Sequence, residues 1–121
     1  MSNFSVTFRE KGSIQILDLQ GDLDAHTAPD FEAALKRCLE SKQHSIVVAG
    51  THLEYISSAG LGVFMAFIEE VRERGGDIKI AALKPRVYNV FDLLGFPVIF
   101  DIVETEDEAI GKFNEQPNTP G

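Results

Sequence analysis

The amino-acid sequence predicts one α/β domain. Three observations lead to this prediction. The chain has 121 residues, of which 44% are hydrophobic, and this suits a single domain with a core of its own. Short alternating or wholly apolar segments are followed by longer segments with apolar residues at helical spacing. After an initial pair of strands the patterns alternate in the order ββαβαβαβα, which indicates a mainly parallel mixed sheet of about five strands packed with about four helices.

The first third of the chain predicts a hairpin and a helix. Residues 4–9 alternate between apolar and polar, as in a half-buried strand, and residues 11–13 form a turn into a second strand at 14–19. Residues 21–26 are expected to form a loop. Thr27 is then the predicted N-cap of a helix, with Pro29 in its first turn. The residues of this helix that should face the core recur at helical spacing: Phe31, Ala34, Leu35, Cys38 and Leu39.

The middle third predicts a central strand and a long helix. Residues 45–49 are apolar and rich in β-branched side chains, which favours a strand covered on both faces, and residues 50–54 are expected to break it. The second helix should run from about Ser58 to Arg74 and end at Gly75 and Gly76. The predicted core face of this helix consists of Leu61, Phe64, Met65 and Ile68.

Two apolar residues of this helix, Val63 and Phe67, lie off the predicted core face and stack on each other at i, i+4. Either another element of the domain covers them, or they belong to a partner-binding face.

The last third predicts a strand at residues 77–83, a short helix from Pro85 to before Gly95, and a final strand at 96–102. Thr105 should cap a last helix that continues to about Phe113. The domain is thus expected to span residues 1–115, with a loose tail at 116–121. The apolar residues of the short helix share helical spacing: Val87, Val90, Phe91 and Leu94.

The composition disfavours several classes of protein. The formal net charge of −8 argues against nucleic acid or an anionic membrane as the main partner and favours a basic partner surface. No segment resembles a signal peptide or approaches the length of a membrane span, so we expect a cytoplasmic protein. Cys38 is the one cysteine, which excludes an intrachain disulfide, and its helical setting predicts a buried thiol.

The sequence is organised around residues 55–64, where an apolar strand end is followed by two hydroxyls, two glycines and a helix. Ser57 or Ser58 should be the N-cap, so a side-chain oxygen would accept a bond from a free N–H group. The same N–H groups favour an anion. Ser58 is therefore either a plain N-cap or a regulatory phosphoacceptor. Because residues 21–27 and residues 50–58 both follow strands and precede helices, the two loops should lie at one edge of the sheet.

No catalytic or cofactor motif is complete. A hydrolase could pair Ser57 or Ser58 with a histidine, but the glycine that precedes the serine in a nucleophile elbow is missing. The glycines at 60 and 62 lack the third glycine of a dinucleotide site and the lysine of a P-loop. Asp22, Asp24 and His26 could touch a metal, but no second cluster supports one. Asp22 and Asp24 are instead expected to form turns or to hydrogen-bond the neighbouring loop. We therefore expect neither an enzyme nor a cofactor. The histidines that a hydrolase could have paired with Ser57 or Ser58 are His26, His44 and His52.

Four segments in chain order carry a resemblance to a known family: Gly21-Asp22-Leu23-Asp24, Ile56-Ser57-Ser58-Ala59-Gly60-Leu61-Gly62, Gly75-Gly76 and Phe91-Asp92-Leu93-Leu94-Gly95-Phe96. Together they resemble the STAS-domain anti-sigma factor antagonists of bacteria over residues 4–113. The resemblance implies a partner switch. The unphosphorylated antagonist binds an anti-sigma factor that is also a serine kinase, and the sigma factor is released. Phosphorylation by that kinase separates the pair, and a PP2C-type phosphatase resets it.

Carried over by position, the phosphoacceptor of the family falls on Ser58. The residue before it is typically Asp in the family and is Ser57 here, which removes a charge and adds a second candidate hydroxyl. We expect a monomer or a weak dimer. The alternative is a STAS module that serves as a constitutive scaffold in a transport or sensory complex, with Ser58 only a cap. The predicted partner-binding residues are Asp22, Asp24, His26, Thr27, Ser57, Ser58, Ala59, Gly60, Leu61, Val63 and Phe67.

Overall fold

The computed structural model describes residues 3–114 and confirms the α/β architecture. The expected tail at 116–121 lies outside the described residues. The strands are β1 (Phe4–Lys11), β2 (Ile14–Leu23), β3 (Ser45–Ile56), β4 (Asp77–Ala81) and β5 (Ile102–Val103). The helices are α1 (Ala28–Glu40), α2 (Ser58–Glu73), α3 (Pro85–Leu93), α4 (Phe96–Ile99) and α5 (Glu106–Asn114).

The strands form one sheet in the order β1-β2-β3-β4-β5. The β1–β2 hairpin is antiparallel, and β2, β3, β4 and β5 pair in parallel. The last residues of these four parallel strands therefore lie along one edge of the sheet, called here the carboxyl edge.

Helices cover both faces of the sheet. On one face α5 inserts Ala109 against β2, β3 and β4. The other face carries the larger core, to which α1, α2, α3 and α4 contribute. Phe64 of α2 lies at the centre of this core and contacts four aromatic rings at centroid distances from 4.9 to 6.3 Å. The predicted core stripe of α1 is confirmed, since every one of its members is buried. Aromatic packing around Phe64 thus sets the position of α2 on the sheet. The four aromatic rings that contact Phe64 are those of Phe31, Phe91, Phe96 and Phe100.

The prediction of a single last strand at residues 96–102 is wrong. Residues 96–99 form the one-turn helix α4, and only Ile102 and Val103 are strand. Gly95 adopts a left-handed φ of 76°, which turns the chain after α3, and Pro97 occupies an early helical position where its fixed φ fits. A short apolar run does not distinguish a strand from a buried helical turn.

The predicted breaks after β2 and β3 come too early. β2 continues to Leu23 and β3 to Ile56, so residues 50–54 belong to a strand. Gly50 stays in the strand because its missing side chain leaves room for Leu83, whose Cδ2 would lie 2.6 Å from an added Cβ. Shifts in register absorb the irregularity between the two strands.

The predicted core face of α2 is partly wrong. Met65 is 44% exposed, whereas Val63 and Phe67 are 8% and 7% exposed. The cause is that α2 packs against α1 as well as against the sheet, so the buried face of α2 includes Val63 and Phe67. Val63 and Phe67 are therefore covered by another element of the domain, which was one of the two alternatives predicted for them. Leu94 is also exposed, at 58%, because α3 ends just before it and the chain turns at Gly95.

Candidate functional site

The two predicted loops meet at the carboxyl edge. β2 and β3 pair in parallel to their last residues, with Leu23 opposite Ile56. The backbone N–H of Ser57 then donates a hydrogen bond of 2.9 Å to the carbonyl oxygen of Leu23. The start of α2 is therefore joined directly to the point where the chain leaves β2 for residues 24–27.

Asp24 organises the segment between β2 and α1. Its carboxylate accepts hydrogen bonds from the backbone N–H groups of His26 at 2.9 Å and Thr27 at 3.1 Å. The Thr27 hydroxyl accepts a bond of 2.9 Å from the N–H of Asp24 and donates one of 2.8 Å to the carbonyl of Asp22. This turn closes on itself, so the segment presents a fixed shape at the carboxyl edge.

The hydrogen bond from the backbone of Thr27, supplemented by that from His26, lowers the pKa of the Asp24 carboxyl below its ordinary value. Asp24 is therefore negatively charged at neutral pH. Thr27 does occupy the N-cap position of α1, but its hydroxyl makes no bond to the first turn of the helix. The predicted side-chain cap is thus wrong, because the hydroxyl is committed to the turn behind it.

The two serines at the start of α2 differ in exposure. Ser57 is the N-cap, and its carbonyl accepts the first helical bond, 3.0 Å from the N–H of Leu61. Its hydroxyl makes no capping bond, which corrects that prediction, and it is buried without a hydrogen-bond partner among residues 3–114. Ser58, the first helical residue, is exposed. The first turn of α2 contains no acidic residue, so its free N–H groups face no carboxylate from that turn.

Gly60 fixes the approach of α2 to the sheet. A Cβ added at Gly60 would lie 2.7 Å from Cγ of Leu23 and 3.0 Å from Cγ1 of Ile56. Both neighbours are buried ends of strands. The absence of a side chain here lets the start of α2 rest directly on the last residues of β2 and β3, which places Ser58 beside the Asp24 turn.

The predicted partner-binding residues divide into two groups. Thr27, Gly60 and Leu61 are buried at the site, and Val63 and Phe67 are buried between α2 and its neighbours farther along the helix. These five residues therefore pack inside the domain and do not lie on its surface in the described structure. The structure brings the others together at the carboxyl edge with exposed or half-exposed surface: Asp22, Asp24, His26, Ser57, Ser58 and Ala59.

Sequence reasoning missed further residues at this edge. Tyr55, at the end of β3, is 52% exposed. Beside it, Glu54 pairs with Arg86 at 2.6 Å and with Lys84 at 3.7 Å. Tyr55 pairs with Asp22 where the register of β2 and β3 shifts, and the ion pairs join residues distant in the chain. Neither carries a local sequence signal.

The described residues offer neither a metal site nor a reactive thiol. No group of three or more His, Cys, Asp or Glu side chains there is arranged to hold a metal ion. No helix in the same part of the chain has the length and apolar character needed to cross a membrane. The Cys38 thiol is buried, and loss of solvation raises its pKa to about 11.

Comparison with known proteins places this geometry in context. The STAS domain family matches residues 5–109. BtrV of Bordetella bronchiseptica, provisionally named an anti-sigma factor antagonist, is 33% identical over 78% of this chain and 82% of its own length. The anti-sigma-B factor antagonist of Listeria monocytogenes is 28% identical over 90% of this chain and 96% of its own.

Solved structures share the fold. The anti-sigma factor antagonist SpoIIAA in its unphosphorylated form has a TM-score of 0.78 at 21% identity and covers 94% of this chain and 100% of its own. The phosphorylated form of the Bacillus cell fate determinant SpoIIAA has a TM-score of 0.69 at 20% identity, covering 90% and 99%. At these identities the likeness concerns the fold alone.

Proposed function

The chain belongs to the STAS domain family, and on that premise we propose that it is an anti-sigma factor antagonist that works by partner switching. It acts as a binding protein rather than an enzyme. The unphosphorylated form binds an anti-sigma factor that is also a serine kinase, and the sigma factor is released. Phosphorylation of Ser58 reverses the binding, and a PP2C-type phosphatase restores it. The observation that carries this proposal is the exposed Ser58 at the start of α2, beside the Asp24 turn.

Exposure favours Ser58 over Ser57 as the acceptor. A kinase must bring the γ-phosphate of ATP to the attacking hydroxyl, which requires an accessible oxygen. The hydroxyl of Ser57 is buried, whereas Ser58 is exposed on the first helical residue. Phosphorylation of Ser57 would require the strand end or the helix start to open first.

A phosphate on Ser58 can act without refolding the domain. It adds a charge of about −1.5 to −2 at neutral pH. The free N–H groups and the positive dipole end of α2 favour this charge, and no acidic residue in the first turn opposes it. In the complex, the same charge would be forced into the interface, on the same edge of the sheet as the negatively charged Asp24. Because about 1.4 kcal/mol changes affinity tenfold, modest repulsion and desolvation suffice to separate the partners.

Binding measurements with Ser58 variants test the switch. Ser58→Ala should capture the kinase and hold it in the presence of ATP, because no phosphate can be added. Ser58→Asp should bind poorly because it carries a permanent charge. Ser41→Asp is a matched control, since Ser41 is an exposed serine at the far end of α1. It should bind like the original chain.

The same experiment separates the proposal from its alternative. A constitutive scaffold would bind its partner equally well with Ser58→Ala and Ser58→Asp, and ATP would not release it. Equal binding of the two variants to the captured protein would therefore remove the switching mechanism, while leaving the STAS assignment in place.

A further inference from the structure

A cavity of about 340 Å³ opens between the start of α3 and β5. It lies where the chain leaves β4 and β5, and thus on the same carboxyl edge as Ser58. Its lining side chains are aliphatic or aromatic except for one carboxylate, and polar and apolar atoms share the exposed lining about equally. The size is at the lower end of the range for specific ligand pockets, which suits a single side chain better than a cofactor. The lining residues are Leu83, Pro85, Tyr88, Ile102, Val103 and Glu104.

The wall formed by Leu83 is held in place by two features. Ala82 adopts a left-handed φ of 62°, which is disfavoured for a residue with a Cβ, and its N–H donates to the carbonyl of Val103 at 3.2 Å. Gly50 of β3 leaves the space that the Leu83 side chain fills. The left-handed conformation of Ala82 therefore directs Leu83 into the wall of the cavity. The absence of a side chain at Gly50 leaves the room that Leu83 needs.

The charge of the cavity is that of Glu104, an exposed carboxylate. Lys84 and Arg86, on either side of the lining residue Pro85, both pair with Glu54, at 3.7 and 2.6 Å. Among residues 3–114, Glu104 forms no ion pair within 4.0 Å. The chain as a whole carries a formal charge of −8. The cavity thus offers an apolar wall, a phenol ring and an unpaired carboxylate to a cation with an aliphatic stem.

We propose that this cavity receives an arginine side chain of the protein that binds the Ser58 edge; the inference rests on the proposed function for the identity of that partner. The aliphatic stem of the arginine lies along Leu83 and Ile102. Its planar guanidinium stacks on the ring of Tyr88 and pairs with the carboxylate of Glu104. Arginine fits better than lysine because only a planar group makes both contacts.

The cavity adds a fixed anchor to a regulated contact. Ser58 changes charge with phosphorylation, whereas Glu104 offers the same charge in both states. A partner with an arginine at the matching position is selected whatever the phosphorylation state, and the phosphate decides whether the complex persists. Buried arginine anchors are characteristic of interface hot spots.

The cavity can be tested without the kinase. ¹⁵N-labelled protein is titrated with acetyl-arginine amide, and acetyl-citrulline amide serves as the neutral probe of the same shape. The arginine probe should shift the amide signals of residues 83, 88, 103 and 104 with saturation in the millimolar range. Glu104→Gln should weaken this binding at least fivefold, and Glu69→Gln, an exposed control on α2, should not. Absent shifts, or equal shifts with citrulline, would overturn the proposal.

Binding of variants to the captured kinase provides a second test of the arginine site. Glu104→Gln and Tyr88→Ala should each weaken its binding about tenfold or more, and Ser58→Asp should weaken binding further in their presence. If Glu104→Gln binds the kinase as tightly as the original chain, the arginine site is wrong while the switch at Ser58 stands. If the original chain binds no kinase but the arginine probe still occupies the cavity, the proposed function fails and the cation site remains.

Discussion

Replacement of Gly60 by alanine should leave the domain less stable than the same replacement at Gly62. The new Cβ at position 60 would lie 2.7 Å from Cγ of Leu23, a distance that real Cβ contacts essentially never show. Leu23 is 0% exposed and cannot swing away. At Gly62 nothing lies within 4 Å of an added Cβ, so alanine enters open space. The two glycines are two residues apart on the same helix and form a matched pair.

The expected magnitude comes from two opposing terms. Alanine in place of glycine favours a helix by about 1 kcal/mol at either position. Overpacking of a closed core costs about 1–3 kcal/mol and applies at Gly60 alone. Gly62→Ala should therefore be more stable than the original chain by up to about 1 kcal/mol. The difference between the two variants, in which the helix term cancels, should be about 1–3 kcal/mol.

Urea denaturation followed by circular dichroism measures this difference. With a slope of about 1–3 kcal/mol per molar urea, a gap of about 2 kcal/mol separates the two midpoints by roughly 1 M. The slopes should be unchanged. Because Leu23 holds the N–H of Ser57 through its carbonyl, Gly60→Ala should also weaken partner binding. Equal midpoints for the two variants would refute the argument that close packing at Gly60 seats α2.

Three other predictions concern single side chains. Asp24→Asn should lower stability above about pH 4, the unfolded pKa of an aspartate. The depressed folded pKa means that the loss disappears as pH falls through it; a gap independent of pH in denaturation curves would contradict this. Cys38 should resist iodoacetamide until the chain unfolds, since burial raises its thiol pKa to about 11; rapid native alkylation would show otherwise. Lys79→Met should cost about 1–3 kcal/mol in thermal unfolding, because Asp77 and Asp101 lose the buried ammonium that lies 2.9 and 2.8 Å from them; unchanged stability would discount this ion pair.

Local patterns predicted the parts of the fold that depend on local physics. The spacing of Phe31 to Leu39 identified the buried face of α1, since charged residues separate these apolar positions. Thr105 and Glu108 predicted the start of α5, where the Glu108 N–H donates to the Thr105 hydroxyl at 3.1 Å and the Glu108 carboxylate accepts from the Thr105 N–H at 3.2 Å. The meeting of the Asp24 turn and Ser58 followed from the alternation of strands and helices.

Features that depend on contacts between distant segments were not predictable in this way. Val63 and Phe67 are buried because α1 packs beside α2, which the periodicity of α2 alone does not reveal. Gly50 remains in β3 because Leu83 fills its place. The resemblance to a family indicated which serine to examine, but the contrast between a buried Ser57 hydroxyl and an exposed Ser58 required the structure.

The central claim is that Ser58 is the phosphoacceptor. The most direct measurement incubates the chain with its captured kinase and ATP and locates the phosphate by fragmentation mass spectrometry that separates Ser57 from Ser58. We expect a single phosphate on Ser58, absent from Ser58→Ala and retained in Ser57→Ala. A phosphate on Ser57 or elsewhere, or none at all, would contradict the account.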